Sequence, residues 1–222
     1  MNAVIVKCCL AFAITLSLFK GYCQIAISAD PVGGKPLTGE SYLDVKGSPF
    51  LFEDWKTGNV TLDNDTEYKN VQLKYDEVED RLIFQNHKGI SQMFMKPVKS
   101  FVIYVDGNSG DSVLFSTQFS SNKTGFHQIL ASGDVYLLKK VKKVLMDEKQ
   151  YGSAKTIRNV VPSTKYFVYK GGQLTEVKLN KRMLSEVFKD KQSEVTQYIA
   201  DKRLNLKDEK DWGNVVTFYN TL

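Results

Sequence analysis

Hydrophobic positions along this chain change their spacing near residue 180. Before that point they alternate. Val60 and Leu62 flank Thr61, and Val71, Leu73 and Tyr75 alternate with Gln72 and Lys74, the period of two expected of a strand with one buried face. Arg81 to Phe84, Ile90 to Met95, Val98 to Val105, Val113 to Phe119, Phe126 to Ala131 and at least part of Val135 to Met146 continue the series. Turn chemistry separates them: Asp63-Asn64-Asp65, the acidic Asp76 to Asp80, and Asp106-Gly107-Asn108-Ser109-Gly110, rich in residues that tolerate a positive φ. The sharpest hairpin is Tyr166-Phe167-Val168-Tyr169, then Gly171-Gly172, then a return strand with Thr175, Val177 and Leu179 on one face.

After Asn180 the spacing becomes helical. Asn180 can cap a short helix carrying Met183, Leu184, Val187 and Phe188, and Asp190 can cap a second with Val195, Tyr198 and Ile199 on one stripe. Asp208, Glu209 and Asp211 suit the positive end of a third, whose Trp212, Val215, Val216 and Tyr219 recur at threes and fours. Each is too short to be stable alone, so the stripes must pack on one another or on the sheet. The pattern predicts an α+β fold: a mainly antiparallel β domain over residues 49–179 and a C-terminal three-helix segment over 180–222.

The N-terminus follows neither period. Lys7 precedes an apolar run from Cys8 to Phe19, Lys20 ends it, and Gly21-Tyr22-Cys23 places small residues where a signal peptidase cuts, before Gln24. Those twelve residues would rise only about 18 Å as a helix, short of a ~30 Å hydrocarbon core. Residues 1–23 therefore read as a cleaved signal peptide, which sets the protein in a periplasmic or extracellular compartment with no transmembrane segment in the mature chain. Lys20 and Tyr22 occupy the places where a lipoprotein signal needs a large aliphatic and a small residue, so lipidation of Cys23 is not expected. Residues 24–48, punctuated by Pro31, Gly33, Gly34, Pro36, Gly39 and Gly47, read as a flexible or loosely docked leader.

Composition adds mostly exclusions. Cys8, Cys9 and Cys23 are the three cysteines, and all leave with the signal, which removes thiol nucleophiles, thiolate metal sites and disulfides from consideration. The formal net charge of +5 is spread over the chain. Its densest basic run, Lys139-Lys140-Val141-Lys142-Lys143, reads as a charged edge strand or exposed ribbon, and export argues against nucleic acid as a partner. The two histidines, His87 and His127, stand apart from any partner motif and read as surface or satisfied residues. Asp106 to Thr117 fails as a calcium loop, with Asp111 where glycine is required and Thr117 where a glutamate belongs. Asp76, Glu77, Glu79 and Asp80 could hold a weakly bound calcium, but read first as a solvated turn. The abundant Tyr and Phe are by default β core and only by exposure a platform for sugars. Asn59, Asn64 and Asn122 begin N-glycosylation triplets, which matter only in a eukaryotic host. No nucleophile elbow or phosphate loop is present in the sequence. No catalytic, cofactor-binding or metal residue is nominated, and no cofactor is expected.

Two stretches carry a resemblance. Gly47-Ser48-Pro49-Phe50-Leu51-Phe52-Glu53-Asp54-Trp55 with Gly58 and Val71 to Asp76, and the ending from Asp190 through Tyr198-Ile199, Leu204 to Lys207 and Phe218 to Leu222, resemble uncharacterised exported proteins of Bacteroidetes-type Gram-negative bacteria. The resemblance implies an envelope or secreted setting and a β body with terminal helices, and brings no activity to carry over. The functional expectation is a non-enzymatic exported protein, a surface binding or interaction module whose partner is an envelope protein or a glycan. The alternatives are a cell-envelope polysaccharide or peptidoglycan hydrolase using carboxylates, and a lipid or small-ligand carrier with a cavity in the β domain.

Overall fold

The computed structural model describes residues 34–36, 42, 45–106, 110–120, 125–149 and 156–222; residues 1–23, expected as a signal peptide, and most of the expected leader lie outside them. Among these residues twelve strands form one sheet: β1 (Gly34–Pro36), β2 (Val45–Lys46), β3 (Lys56–Leu62), β4 (Glu67–Asp76), β5 (Arg81–Gln85), β6 (Ser91–Phe94), β7 (Val98–Tyr104), β8 (Ser112–Ser116), β9 (His127–Ala131), β10 (Val135–Lys149), β11 (Thr156–Lys170) and β12 (Gln173–Val177). Their order is β1-β6-β5-β4-β3-β7-β8-β9-β10-β11-β12, every neighbour antiparallel, with β2 joining β11 in parallel. Three C-terminal helices follow, α1 (Lys181–Val187), α2 (Gln192–Lys202) and α3 (Glu209–Tyr219). The fold is α+β, as the periodicities predict. No helix among the described residues is long and apolar enough to cross a membrane.

The alternating side chains of β3, β4, β5, β7 and β8 turn one face inward around Leu73, Phe84, Val60, Phe101 and Ile103, all essentially without solvent contact. Tyr75, Phe101, Phe115 and Phe126 fill the middle, with ring centroids 4.8–5.7 Å apart. Burying each ring is worth about 1.5–3 kcal/mol, and edge-to-face contacts such as Tyr75 on Phe126 add to it. These aromatics are core rather than a sugar platform. At Gly58, opposite both Val71 and Ile103, a Cβ would fall 2.1 Å from the Val102 carbonyl oxygen and 2.6 Å from Leu73 Cδ1. The strands can approach this closely only because that side chain is missing.

A second core lies where the helices cover β9 to β12. Trp212, Val215, Val216, Val195, Phe188 and Leu184 pack on Ala131, Val135, Leu137, Val168 and Val177. The expected stripes are therefore the buried ones, and they pack on the sheet as well as on each other. Asn180 caps α1 by accepting from Met183 N, and Asp208 caps α3 by accepting from Lys210 N and Asp211 N. Asp190 departs from expectation. Its carboxylate accepts from Lys170 Nζ and Tyr219 OH instead, and α2 begins after Lys191 with no side-chain cap. Two strong charged and hydroxyl donors from neighbouring elements outcompete backbone amides for one carboxylate.

Two stretches differ from the sequence reading. Residues 34–36 and 45–46, within the expected leader, pair with β6 and β11, and the Tyr42 hydroxyl donates to Asp76, so the leader is docked at each described point. The strand opposite Val135–Met146 is also longer than its aromatic end suggests, since β11 begins at Thr156. Gly171 and Gly172 both have positive φ, 56° and 80°, and close the β11–β12 hairpin in the two residues expected.

Gly58→Ala is expected to lower stability by about 1–3 kcal/mol, because the added methyl must displace backbone rather than a side-chain tip. Gly110→Ala, with open space around its Cβ position, should be near neutral. Urea midpoints of the two variants test the difference.

Candidate functional site

The Asp76-to-Asp80 turn between β4 and β5 is built by its own first residue. Asp76 Oδ1 accepts from Val78 N and Glu79 N, and Oδ2 from Arg81. Tyr42 OH adds a donor from outside the turn. Asp76 is wholly buried and Glu77 only 4% exposed. The reading of this run as a solvated turn is therefore overturned: buried carboxylates persist only when paired, and here each has a cation.

The cation beside Asp76 is Arg81 of β5, and those beside Glu77 and Asp80 come from the basic run on β10. Lys140 Nζ sits 2.9 Å from Asp80 Oδ2, Lys143 Nζ 2.9 Å from Glu77 Oε2, and Lys143 N donates to the Glu77 carbonyl at 3.0 Å. Residues three apart on a strand point to opposite faces. The turn thus straddles the edge of β10, holding one lysine on each side and a backbone amide between. Because β10 lies beyond β3, β7, β8 and β9 from β4, this clasp holds the sheet rolled around its aromatic core. Past Lys139 the run does lie on an edge, since β9 pairs with β10 no further, but Lys139, Lys140 and Lys143 are engaged in ion pairs rather than solvated. Lys139 pairs with β9 on one side and β11 on the other, and its ammonium meets Glu209 of α3 at 2.8 Å. Lys142 alone of the four lysines is solvent-exposed.

Asp80 is the hub. Its Oδ1 accepts from Tyr75 OH at 2.6 Å and from Phe126 N at 3.1 Å. Burial alone would raise its pKa, but the bonds from Tyr75, Lys140 and Phe126 outweigh that and hold the carboxyl below the ordinary range. The same burial and the neighbouring Asp80 charge push the Tyr75 hydroxyl strongly upward, so it stays a donor.

Past the clasp, β10 and β11 continue as a paired arm. One face carries Leu145 and Val160, half-buried, with Gly47 over Val160 and the Phe50 carbonyl taking Lys143 Nζ. The opposite face presents Val144 (40% exposed), its cross-strand partner Val161 (38%) and Met146 (55%), flanked by Lys142 and Ser163. These are adjacent in register, a small apolar patch with a polar rim.

Another open region surrounds Lys170, which reaches Asp190 Oδ1 at 2.8 Å and lies 4.7 Å from the Tyr219 ring. Clefts of about 230 and 430 Å³ flank it, the first lined by Val168, Thr175, Met183 and Glu186, the second by Asp134, Lys191, Tyr219 and Asn220. Both are open to solvent, and Lys170 already has its carboxylate.

Of the residues weighed from sequence, His87 lies exposed in the β5–β6 turn, whereas His127 is 5% exposed and its Nδ1 has no partner, which corrects the expectation of a satisfied histidine. Asn59 donates to Tyr104 OH within the sheet. Gly107, Asn108, Ser109 and Asn122 fall outside the described residues. Among the described residues no three histidine, cysteine, aspartate or glutamate side chains converge as a metal site requires. Sequence reasoning missed the clasp. Its signal was an equal spacing of three, Glu77 to Asp80 and Lys140 to Lys143, which means nothing until the two segments are known to meet.

Comparison with protein-family models, with curated proteins and with solved structures finds no match to this chain.

Glu77→Gln is expected to cost about 3 kcal/mol by leaving Lys143 buried without its carboxylate, and the double variant Glu77→Gln/Lys143→Met should cost less than the sum of the singles. Denaturant unfolding of the four species measures the coupling. For Asp80, whose folded pKa lies below the unfolded value of ~3.9, the contribution is whole above that value and is lost as pH falls through the lower folded one. Asp80→Asn should flatten this acid limb in thermal melts between pH 5 and about pH 2.

Proposed function

We propose that this is a non-enzymatic binding module of an exported protein, and that the outward face of the β10–β11 arm is where it meets another macromolecule, an envelope protein in the first instance. The observation that carries the reading is the exposure of Val144, Val161 and Met146 side by side on one face. Contiguous apolar surface with a polar rim is the usual mark of a protein contact.

Two further features support it over the alternatives. A polysaccharide hydrolase needs one carboxyl held protonated and another free to act beside substrate. The carboxylates drawn together in this β domain, Asp76, Glu77 and Asp80, are each consumed by lysine, arginine or tyrosine donors. A carrier needs room inside the β domain, and the middle of the roll is taken up by Phe101, Phe115 and Phe126, each in ring contact with Tyr75. Export itself rests on the sequence of residues 1–23.

A photo-crosslinking amino acid at Ser163, on the same face, tests the proposal in cells that make the protein. A discrete adduct with one macromolecule is expected. It should fall at least about tenfold, or about 1.4 kcal/mol, when Val144→Asp and Met146→Asp are introduced together. No adduct from a correctly folded chain, or an adduct indifferent to the two aspartates, would overturn it.

A further inference from the structure

We propose that the clasp between the β4–β5 turn and β10 is an acid-sensitive latch, with the buried imidazole of His127 as its trigger. This does not depend on what the arm binds.

The latch and the histidine share a wall. Gly125, Phe126 and His127 bring the chain into β9 directly against the ion pair: a Cβ on Gly125 would lie 2.6 Å from Lys140 Nζ and 3.0 Å from Asp80 Oδ2, and Phe126 N donates to Asp80 Oδ1. Gly125 has φ +85°, so the backbone bends here in a way that also favours glycine. His127 follows at once, 5% exposed, with Nδ1 bonded to nothing.

The groups around it come from four elements. From β11 the Phe167 ring meets the imidazole edge to face at 5.4 Å. From β10 comes Lys140, and from the turn Asp80, the two charges that act on the ring in opposite senses. On β8 the cross-strand partner is Ser116, whose hydroxyl accepts from Gln118 N and reaches the Lys99 carbonyl. Lys165, opposite Lys140 on β11, is held by Glu176. One carboxylate therefore serves this pocket, and it is already engaged by Tyr75 OH, Phe126 N and Lys140 Nζ.

A proton on His127 adds a second cation beside Lys140 and turns the orphan Nδ1 into a donor that must find an acceptor. Asp80 already accepts three bonds, so turning it toward the ring draws it off Tyr75, Phe126 or Lys140, and water enters by the turn moving off β10. Either way the Lys143 N to Glu77 carbonyl bond, on the same turn, is lost with it. Burial first, then Lys140, favours the neutral ring, against the smaller pull of Asp80. The folded pKa therefore lies below the unfolded value of ~6.5. The closed latch is at full strength above that value and weakens as pH falls below it, by up to about tenfold per unit until the folded value is reached.

Hydrogen exchange on the whole chain, corrected for intrinsic rates, provides the test at pH 7.5 and pH 5.5. The amides of Lys143, Phe126, Val78 and Glu79 should lose about fivefold to tenfold in protection at the lower pH, while Val215 and Val216 in α3 keep theirs. His127→Gln should abolish the difference. Unchanged protection in the wild-type chain overturns the proposal, as does an equal loss in α3 or an undiminished response in His127→Gln. Should that variant not fold, NMR titration of the His127 ring in the wild-type chain decides: a midpoint at or above the ordinary histidine value overturns the latch.

Discussion

The structure depends on one meeting of unlike charges, the acidic β4–β5 turn astride the edge of β10. A long antiparallel sheet of this order has no intrinsic reason to stop curling at a given strand, because twist accumulates continuously. The clasp supplies the stop. Asp76 first stiffens the turn by capping Val78 N and Glu79 N, and the stiffened turn then presents Glu77 and Asp80 to opposite faces of β10. Buried ion pairs contribute little net free energy against apolar replacements of the same shape. Their effect here is positional: Lys140 and Lys143 define which strand the turn meets and at which residue.

Closing the roll leaves β9 and β10 as a wall whose inner face, traced in register through Phe115, Gln128 and Lys139, runs on from the aromatic core to the helices. Leu137 and Leu138 are consecutive on β10 and both fully buried, which a strand with one solvated face does not allow. Leu137 packs with the helices, and Leu138, on the other face, lies on the side of Lys140 and Asp80. The helices are too short to persist alone, so they need this stretch of the sheet as much as the sheet needs cover. The α3 end is fixed to this wall by Glu209, which accepts from both Lys139 Nζ and Tyr166 OH. Asn220 closes the other end by accepting from Val135 N and donating to its carbonyl.

Much of this architecture was legible in the alternation of Val71, Leu73 and Tyr75, in Gly171-Gly172 and in the capping residues Asn180 and Asp208, because each is a local signal with a local cause. The clasp was not. A run of acids and a run of lysines both look like solvated surface, and only tertiary contact between segments some sixty residues apart turns them into buried pairs. The first half of β11 was equally obscure, since Asn159, Pro162, Ser163 and Thr164 have the composition of a loop. Asp190 failed as a cap for the same reason that Asp80 succeeded as a hub: a carboxylate goes to the strongest donors in reach, and those are distant in sequence.

Pro162 shows why the arm offers a face rather than an edge. It stands opposite Lys143, whose amide points away from β11 to the Glu77 carbonyl. The pair is thus a non-hydrogen-bonded one in the ladder, and β11 loses no bond to β10 where proline lacks an amide. On its outer side the same proline offers no donor to an incoming strand, and β2 already covers Arg158 and Asn159. On the β10 side the turn occupies Lys143. Near its base the arm is therefore guarded along both margins against strand addition. The apolar surface left open, Val144 with Val161 and Met146, lies on the broad side of the ribbon, which presents side chains rather than unpaired backbone.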